Sequence, residues 1–143
     1  MGTKIQQLDV GQFKLELWEV GGNERIRPYW NRYADGISGL VYVIDYSDKA
    51  RLSESIDALI HVFETIGYSR LTTLVLLNKA EADAAIEDVS SQIAPRLPEG
   101  NPFSVVRANG SDEEGTAEVV LSWMPNALLQ EVERARARAQ QQE

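Results

Sequence analysis

Cysteine is absent from this chain, which excludes disulfides, thiolate catalysis, Cys-ligated zinc and iron–sulfur clusters. Histidine is nearly absent too. His61 is the only one, so a His-based metal site or a Ser-His-Asp triad would rest on it alone. It falls in a helical pattern near Phe63, where a surface or partly buried role is expected. Basic residues are scarce: 14 Lys and Arg stand against 22 Asp and Glu, a net charge of -8. Nucleic acid and anionic membranes are therefore not expected as main partners, because binding them rests on cations that neutralise phosphate. Arg134, Arg136 and Arg138 cluster locally but do not reverse that balance. No apolar run approaches the length of a membrane span. No secretory leader is expected at Met1, and Gln6 stands where N-myristoylation uses Ser or Thr. What remains is a chain of 143 residues, 43% hydrophobic and 25% charged, long enough for one domain with a core.

The stretch Trp18-Glu19-Val20-Gly21-Gly22-Asn23-Glu24 organises the rest. An alternating run, Phe13, Leu15 and Leu17 against Lys14, Glu16 and Trp18, leads into two glycines. With no Cβ in the way, such a turn can bring backbone N–H groups close to an anion. Taken alone, a Gly-Gly after a strand is in most cases a turn or a bulge. The pattern predicts a hairpin of strands over 4–9 and 14–18, with a turn at 10–12. Residues 21–36 read as irregular or partly helical. Residues 39–45, Gly-Leu-Val-Tyr-Val-Ile-Asp, form a continuous apolar run, as in a strand covered on both faces. Ser53 is expected to cap a helix over 54–66 with Ile56, Leu59, Ile60, Phe63 and Ile66 inward, and Gly67 to end it. A second buried strand covers 72–77 and a helix 84–97, with Pro95 able to end it early. A third strand covers 103–106, and an acidic loop 109–115. A last helix starts near Thr116, with a kink or restart at Pro125. Beyond Val132 the chain reads as a solvated helix end or frayed tail.

A hairpin followed by strand, helix, strand, helix, strand, helix predicts an α/β fold with a mostly parallel sheet and one antiparallel edge. Ligands in such sheets bind at the carboxyl ends of the strands. Residues 19–22, 78–81 and 107–109 all fall there.

Residues 17–30, Leu-Trp-Glu-Val-Gly-Gly-Asn-Glu-Arg-Ile-Arg-Pro-Tyr-Trp, resemble the pattern Trp-Asp-Val-Gly-Gly-Gln-Glu-Lys-Ile-Arg-Pro-Leu-Trp of the Arf-like small GTPases. Residues 39–45 with Asp48 and Arg51 are similar to that family's Gly-Leu-Ile-Phe-Val-Val-Asp-Ser-x-Asp-Arg segment. Leu76-Leu77-Asn78-Lys79-Ala80-Glu81 sits where its guanine-reading Asn-Lys-x-Asp belongs, and Trp123 matches a tryptophan usual in the last helix. The resemblance covers 2–129. It implies a P-loop NTPase-type α/β/α fold over 1–129, with 130–143 a polar helical or frayed tail. By the same resemblance Glu19 stands for the aspartate that holds magnesium through water, and Gly22 would offer its N–H to a γ-phosphate. Asn23 replaces the glutamine that orients the attacking water. Asn78, Lys79, Glu81 and Ala108 stand at the base. Ile26, Tyr29, Trp30 and Tyr33 fall in the second switch, where relatives bind effectors. Trp30 and Ile26 have a competing role, packing onto the sheet.

The departures set the functional expectation. The sequence has no Gly-Lys pair, so no Gly-x-x-x-x-Gly-Lys-Ser/Thr phosphate cradle. Losing even one comparable charged partner costs on the order of 2–5 kcal/mol. The family's first strand, P-loop and first helix would lie before Gly2, and the fold is expected to lack them. That leaves a gap between the strands ending at Trp18 and Asp45. Three outcomes are expected there: direct pairing, a split sheet, or a strand supplied by another chain. The leading reading is a degenerate GTPase fold acting as a protein-binding or structural module, with no cofactor bound. Its partner would be a protein at the second-switch region or the free strand edges, and it would work in the cytoplasm, at cilium, cytoskeleton or endomembrane surfaces. The rival reading is a fragment of a GTP-binding Arf-like GTPase, with GTP or GDP, magnesium and weak hydrolysis. A third is a ligand-free structural domain. Enzymatic hydrolysis is left open.

Overall fold

The structure, a computed structural model, describes residues 4–10, 12–22, 25, 27–30, 32, 36–80, 86–108 and 113–141. The first elements are β1 (Lys4–Val10) and β2 (Phe13–Glu19), an antiparallel hairpin in the register Lys4 to Glu19 and Val10 to Phe13. A 3-10 turn, Arg27–Tyr29, carries Pro28 where its fixed φ is tolerated. Then come β3 (Gly39–Asp45), α1 (Leu52–Thr65), β4 (Thr72–Asn78), α2 (Ile86–Ile93), β5 (Phe103–Ala108) and α3 (Glu113–Gln141).

The hydrophobic runs become a parallel sheet in the order β3-β4-β5. Strand β4 lies at its centre, which is why Thr72 to Leu77 are all buried. One face of the sheet carries Tyr42, Ile44, Val75 and Leu77 against Ile56, Leu59, Ile60 and Phe63 of α1 and Val89 and Ile93 of α2. The other carries Leu74 and Leu76 against Met124 of α3, flanked by Val41, Val106, Trp123 and Leu128. Helices on both faces are the α/β/α arrangement expected for a continuous apolar β3. Gly39 lets α3 pack close there: a Cβ would stand 2.7 Å from the Met124 sulfur, and that side chain would have to shift.

The sheet is split. The hairpin forms its own two-stranded sheet, and the free edge of β3 carries no strand among the described residues. Val43 beside that edge is 57% exposed. Of the three outcomes expected at the gap, the second is the one observed.

Several boundaries move. Ser53 does not cap α1: the N-cap is Arg51, without a side-chain cap bond. A 3-10 turn, Lys49–Arg51, feeds straight into the helix, so Ser53 lies within its first turn. Gly67 does end it, at φ +69°, where the left-handed conformation suits a residue without Cβ. Pro95 halts α2 early by turning Ala94–Arg96 into a 3-10 turn. Strand β5 runs two residues further than the apolar pattern, because Arg107 and Ala108 continue the ladder with β4. Helix α3 starts at Glu113 and continues through Pro125, which is buried. Beside that proline the Asn126 side-chain amide donates to the Ser122 carbonyl at 2.9 Å. The last stretch of α3 is helical and exposed. No helix among the described residues is long and apolar enough to cross a membrane.

Candidate functional site

Parallel register lines up the carboxyl ends of three strands. Asp45 pairs with Asn78, and Asn78 with Ala108, so the three stand in one row at the sheet's carboxyl edge. Of the residues anticipated at the base, Asn78, Lys79 and Ala108 come together here. Glu19 ends β2 on the separate hairpin and is exposed. Glu81, Asn23, Ile26 and Tyr33 lie outside the described residues.

The row is bonded within itself. Asn78 Oδ1 accepts the Lys79 backbone N–H at 3.1 Å. Lys79 adopts φ +61°, unusual for a residue with a Cβ. Its Nζ stands 3.7 Å from Asp45 Oδ2. Asp45 Oδ1 accepts the Ser47 hydroxyl at 2.6 Å and the Ser47 N–H at 3.1 Å. The Ser47 hydroxyl bond is the main reason the Asp45 carboxyl is held below its ordinary value, with the Ser47 N–H and Lys79 adding to it. Sequence reasoning does not single out Asp45 as a site residue. The available signal was its position, last in a buried strand in register with Asn78.

A second cluster surrounds the glycine turn. Trp30 Nε1–H donates to the Gly21 carbonyl at 2.8 Å, and Arg27 Nε–H to the Gly22 carbonyl at 3.2 Å. Trp30 is half-buried and meets Tyr42 edge-on, with ring centroids 5.9 Å apart. Tyr42 donates its hydroxyl to the Ser55 carbonyl at 2.7 Å, and burial pushes its pKa up. Arg27 also reaches Glu54 of α1 at 2.7 Å. Tyr29 points the other way, 43% exposed, with the Arg32 guanidinium 5.0 Å from its ring centroid. Trp18, at 49% exposure, and Leu17 are exposed on β2.

Comparison with known proteins now bears on this arrangement. The sequence model of the ADP-ribosylation factor family matches residues 1–128. The chain belongs to that family. It is 30% identical over 125 residues to ADP-ribosylation factor-like protein 3 of Chlamydomonas reinhardtii, across 86% of this chain and 70% of that protein. It is 25% identical over 130 residues to ADP-ribosylation factor-like protein 1 of Drosophila melanogaster, across 90% of this chain and 72% of the relative. Among solved structures it superposes on the Arl6 BBS3 small GTPase of Trypanosoma brucei, which carries a bound nucleotide analogue, GppNp. The TM-score is 0.73 at 23% identity, covering 91% of this chain and 81% of that one. At that identity the likeness speaks for the fold.

Among the described residues, the strand-end row is the part that fits a nucleotide. The Asp45-Asn78-Ala108 row lies where ligands bind in such sheets. A Cβ on Gly22 would stand in open space, so neither packing nor a positive φ requires a glycine there. No group of three His, Cys, Asp or Glu able to hold a metal occurs among the described residues. The sequence offers no Gly-Lys pair for a triphosphate.

Proposed function

We propose that this chain works as a protein-binding module on an Arf-family fold, with guanine-nucleotide binding and hydrolysis reduced or lost. The observation that carries the reading is Tyr29. It stands exposed on a short turn whose underside is fastened to the core by Trp30 and Arg27. A large aromatic on a pre-set support gains contact area with little ordering entropy to lose, which is the profile of an interface anchor. The Arg32 guanidinium over the Tyr29 ring sets a cation beside that anchor. Trp30 supports the face from beneath, and Ile26 and Tyr33 belong to the same proposed patch. The free edge of β3 is a second place where a partner strand could bind. The proposed place of work is the cytoplasm, at cilium, cytoskeleton or the cytosolic face of endomembranes.

The relaxed nucleotide chemistry is supported by Asp45, which pairs with Lys79, and by Asn78 Oδ1, which bonds within the chain. Asn23 and Glu81 in place of glutamine and aspartate point the same way. The test is capture of interacting proteins by the chain and by Tyr29→Ala. The variant should lose a partner that the parent retains, by tenfold or more in affinity. Equal capture by both would reject the reading.

One observation favours a second reading, a GTP-binding Arf-like GTPase of which this chain is a part. Asn78 and Lys79 hold the strand-end position of the family's base-reading pair, and the Trypanosoma relative was solved with GppNp. GTP binding that tightens with magnesium, or an in-frame Gly-x-x-x-x-Gly-Lys-Ser/Thr encoded upstream of Met1, would favour it.

A further inference from the structure

Two successive carbonyls of the glycine turn are held by two side chains from one short segment. Trp30 Nε1–H takes Gly21 and Arg27 Nε–H takes Gly22. Both side chains are anchored in turn. The Arg27 guanidinium lies 6.0 Å from the Trp30 ring centroid, and its Nη1 donates to Glu54 Oε1 at 2.7 Å. Glu54 lies in the first turn of α1. Tyr42, in edge contact with Trp30, is bonded to Ser55, the residue after Glu54. The chain of contacts therefore runs from the Gly-Gly carbonyls to the start of α1. Arg51 reaches Glu54 as well, at 3.3 Å, so that carboxylate bridges two arginines.

We propose that the Arg27–Glu54 pair is a latch that ties Gly22 and the Arg27–Tyr29 turn to the start of α1 and so keeps Tyr29 turned outward. The inference rests on reading Tyr29 as the docking residue and adds how that face is set. Two adjacent glycines have more backbone freedom than any other dipeptide, so an unlatched turn would sample many shapes. A guanidinium suits the task because its planar fork serves two acceptors at once, the Gly22 carbonyl and the Glu54 carboxylate. Arg27 is the better buried of the pair, with its side chain 23% exposed against 44% for Glu54. The latch is thus partly shielded from water, and added salt weakens it only in part. Every bond in it is made by this chain's own groups.

The test is backbone hydrogen exchange on the full chain, read by mass spectrometry on peptides covering 19–32 and 72–78. Glu54→Gln keeps the size of the side chain and removes its charge. Arg27→Ala removes both ends of the latch. Each should speed exchange in 19–32 about tenfold while 72–78 stays as in the parent. The Trp30 indole N–H, assigned by its loss in Trp30→Phe, should exchange faster in the same variants. Should Arg27→Ala fail to fold, Glu54→Gln decides alone. A change under twofold in 19–32 overturns the latch. So does an equal rise in 72–78, because Glu54 would then be supporting the whole fold. A separate arm adds magnesium and GTP to the parent chain. Protection of 19–32 appearing only there would overturn the latch and the loss of nucleotide binding together, whereas a change confined to the Glu54→Gln arm bears on the latch alone.

Discussion

At the end of β3 one carboxylate gathers the local polar bonds. Asp45 takes two from Ser47 and faces Lys79. Its pKa is lowered in the folded chain, so its contribution to stability is present above the unfolded value near 4 and is lost as pH falls through the lower folded value. Ser47→Ala removes the largest cause. The Asp45 carboxyl should then titrate closer to its ordinary value, an upward move read directly by carbon-detected NMR between pH 2 and 6. Tyr42 behaves in the opposite sense. Burial raises its value, so the stability it confers is whole below about pH 10 and declines as pH rises from there through the higher folded value. Neither effect is legible in the sequence, because both depend on which groups the strand ends bring together. Ser47 is a plain loop serine until the turn after β3 folds back on Asp45.

Elements were easier to read than their ends. The apolar run 39–45 became β3 with the expected bounds, because strand burial on both faces leaves a continuous hydrophobic signature. The inward positions of α1 were legible for the same reason, at spacings of three and four. Ser53 misled because an N-cap signal is local, while the real start of α1 was set by the preceding 3-10 turn. Asn101 was invisible in pattern, yet its side chain completes the amino-terminal edge of the sheet. Its Oδ1 accepts the Leu71 N–H at 2.6 Å, and its amide donates to the carbonyls of Leu71 at 2.9 Å and Pro102 at 3.0 Å. Leu71 is 4% exposed, so Asn101→Ala would strand the Leu71 N–H away from water, while the Leu71 carbonyl keeps the Thr73 hydroxyl and the Pro102 carbonyl the Thr73 N–H. That substitution should cost about 1–3 kcal/mol, measured by urea unfolding with an unchanged slope. On the site, the row of Asn78, Lys79 and Ala108 was legible from strand ends. The Arg27 and Trp30 bonds to the glycine carbonyls were not, since no spacing rule encodes a side chain returning to a backbone oxygen five or nine residues earlier.

For the molecule as a whole, the split sheet divides stability unevenly. Strand β4 is paired on both sides and buried, while the hairpin has only its own two strands as a ladder. An isolated hairpin is marginal in water, so its protection depends on what it packs against. Amide exchange at pH 7 should therefore be fastest in β1 and β2 and slowest in β4, separated by two or more orders of magnitude. Equal protection across hairpin and sheet would show that one cooperative unit spans the gap. The family assignment was legible from residues 17–30 and 39–45, whereas the division of the sheet depends on tertiary pairing that motifs do not report. Helix α3 adds a further consequence. Its 29 residues extend about 43 Å, and residues 133–140 are exposed throughout. Such a projecting rod adds friction out of proportion to its mass. The chain should sediment more slowly than a sphere of its mass, and a dye at Ala139 should report anisotropic tumbling.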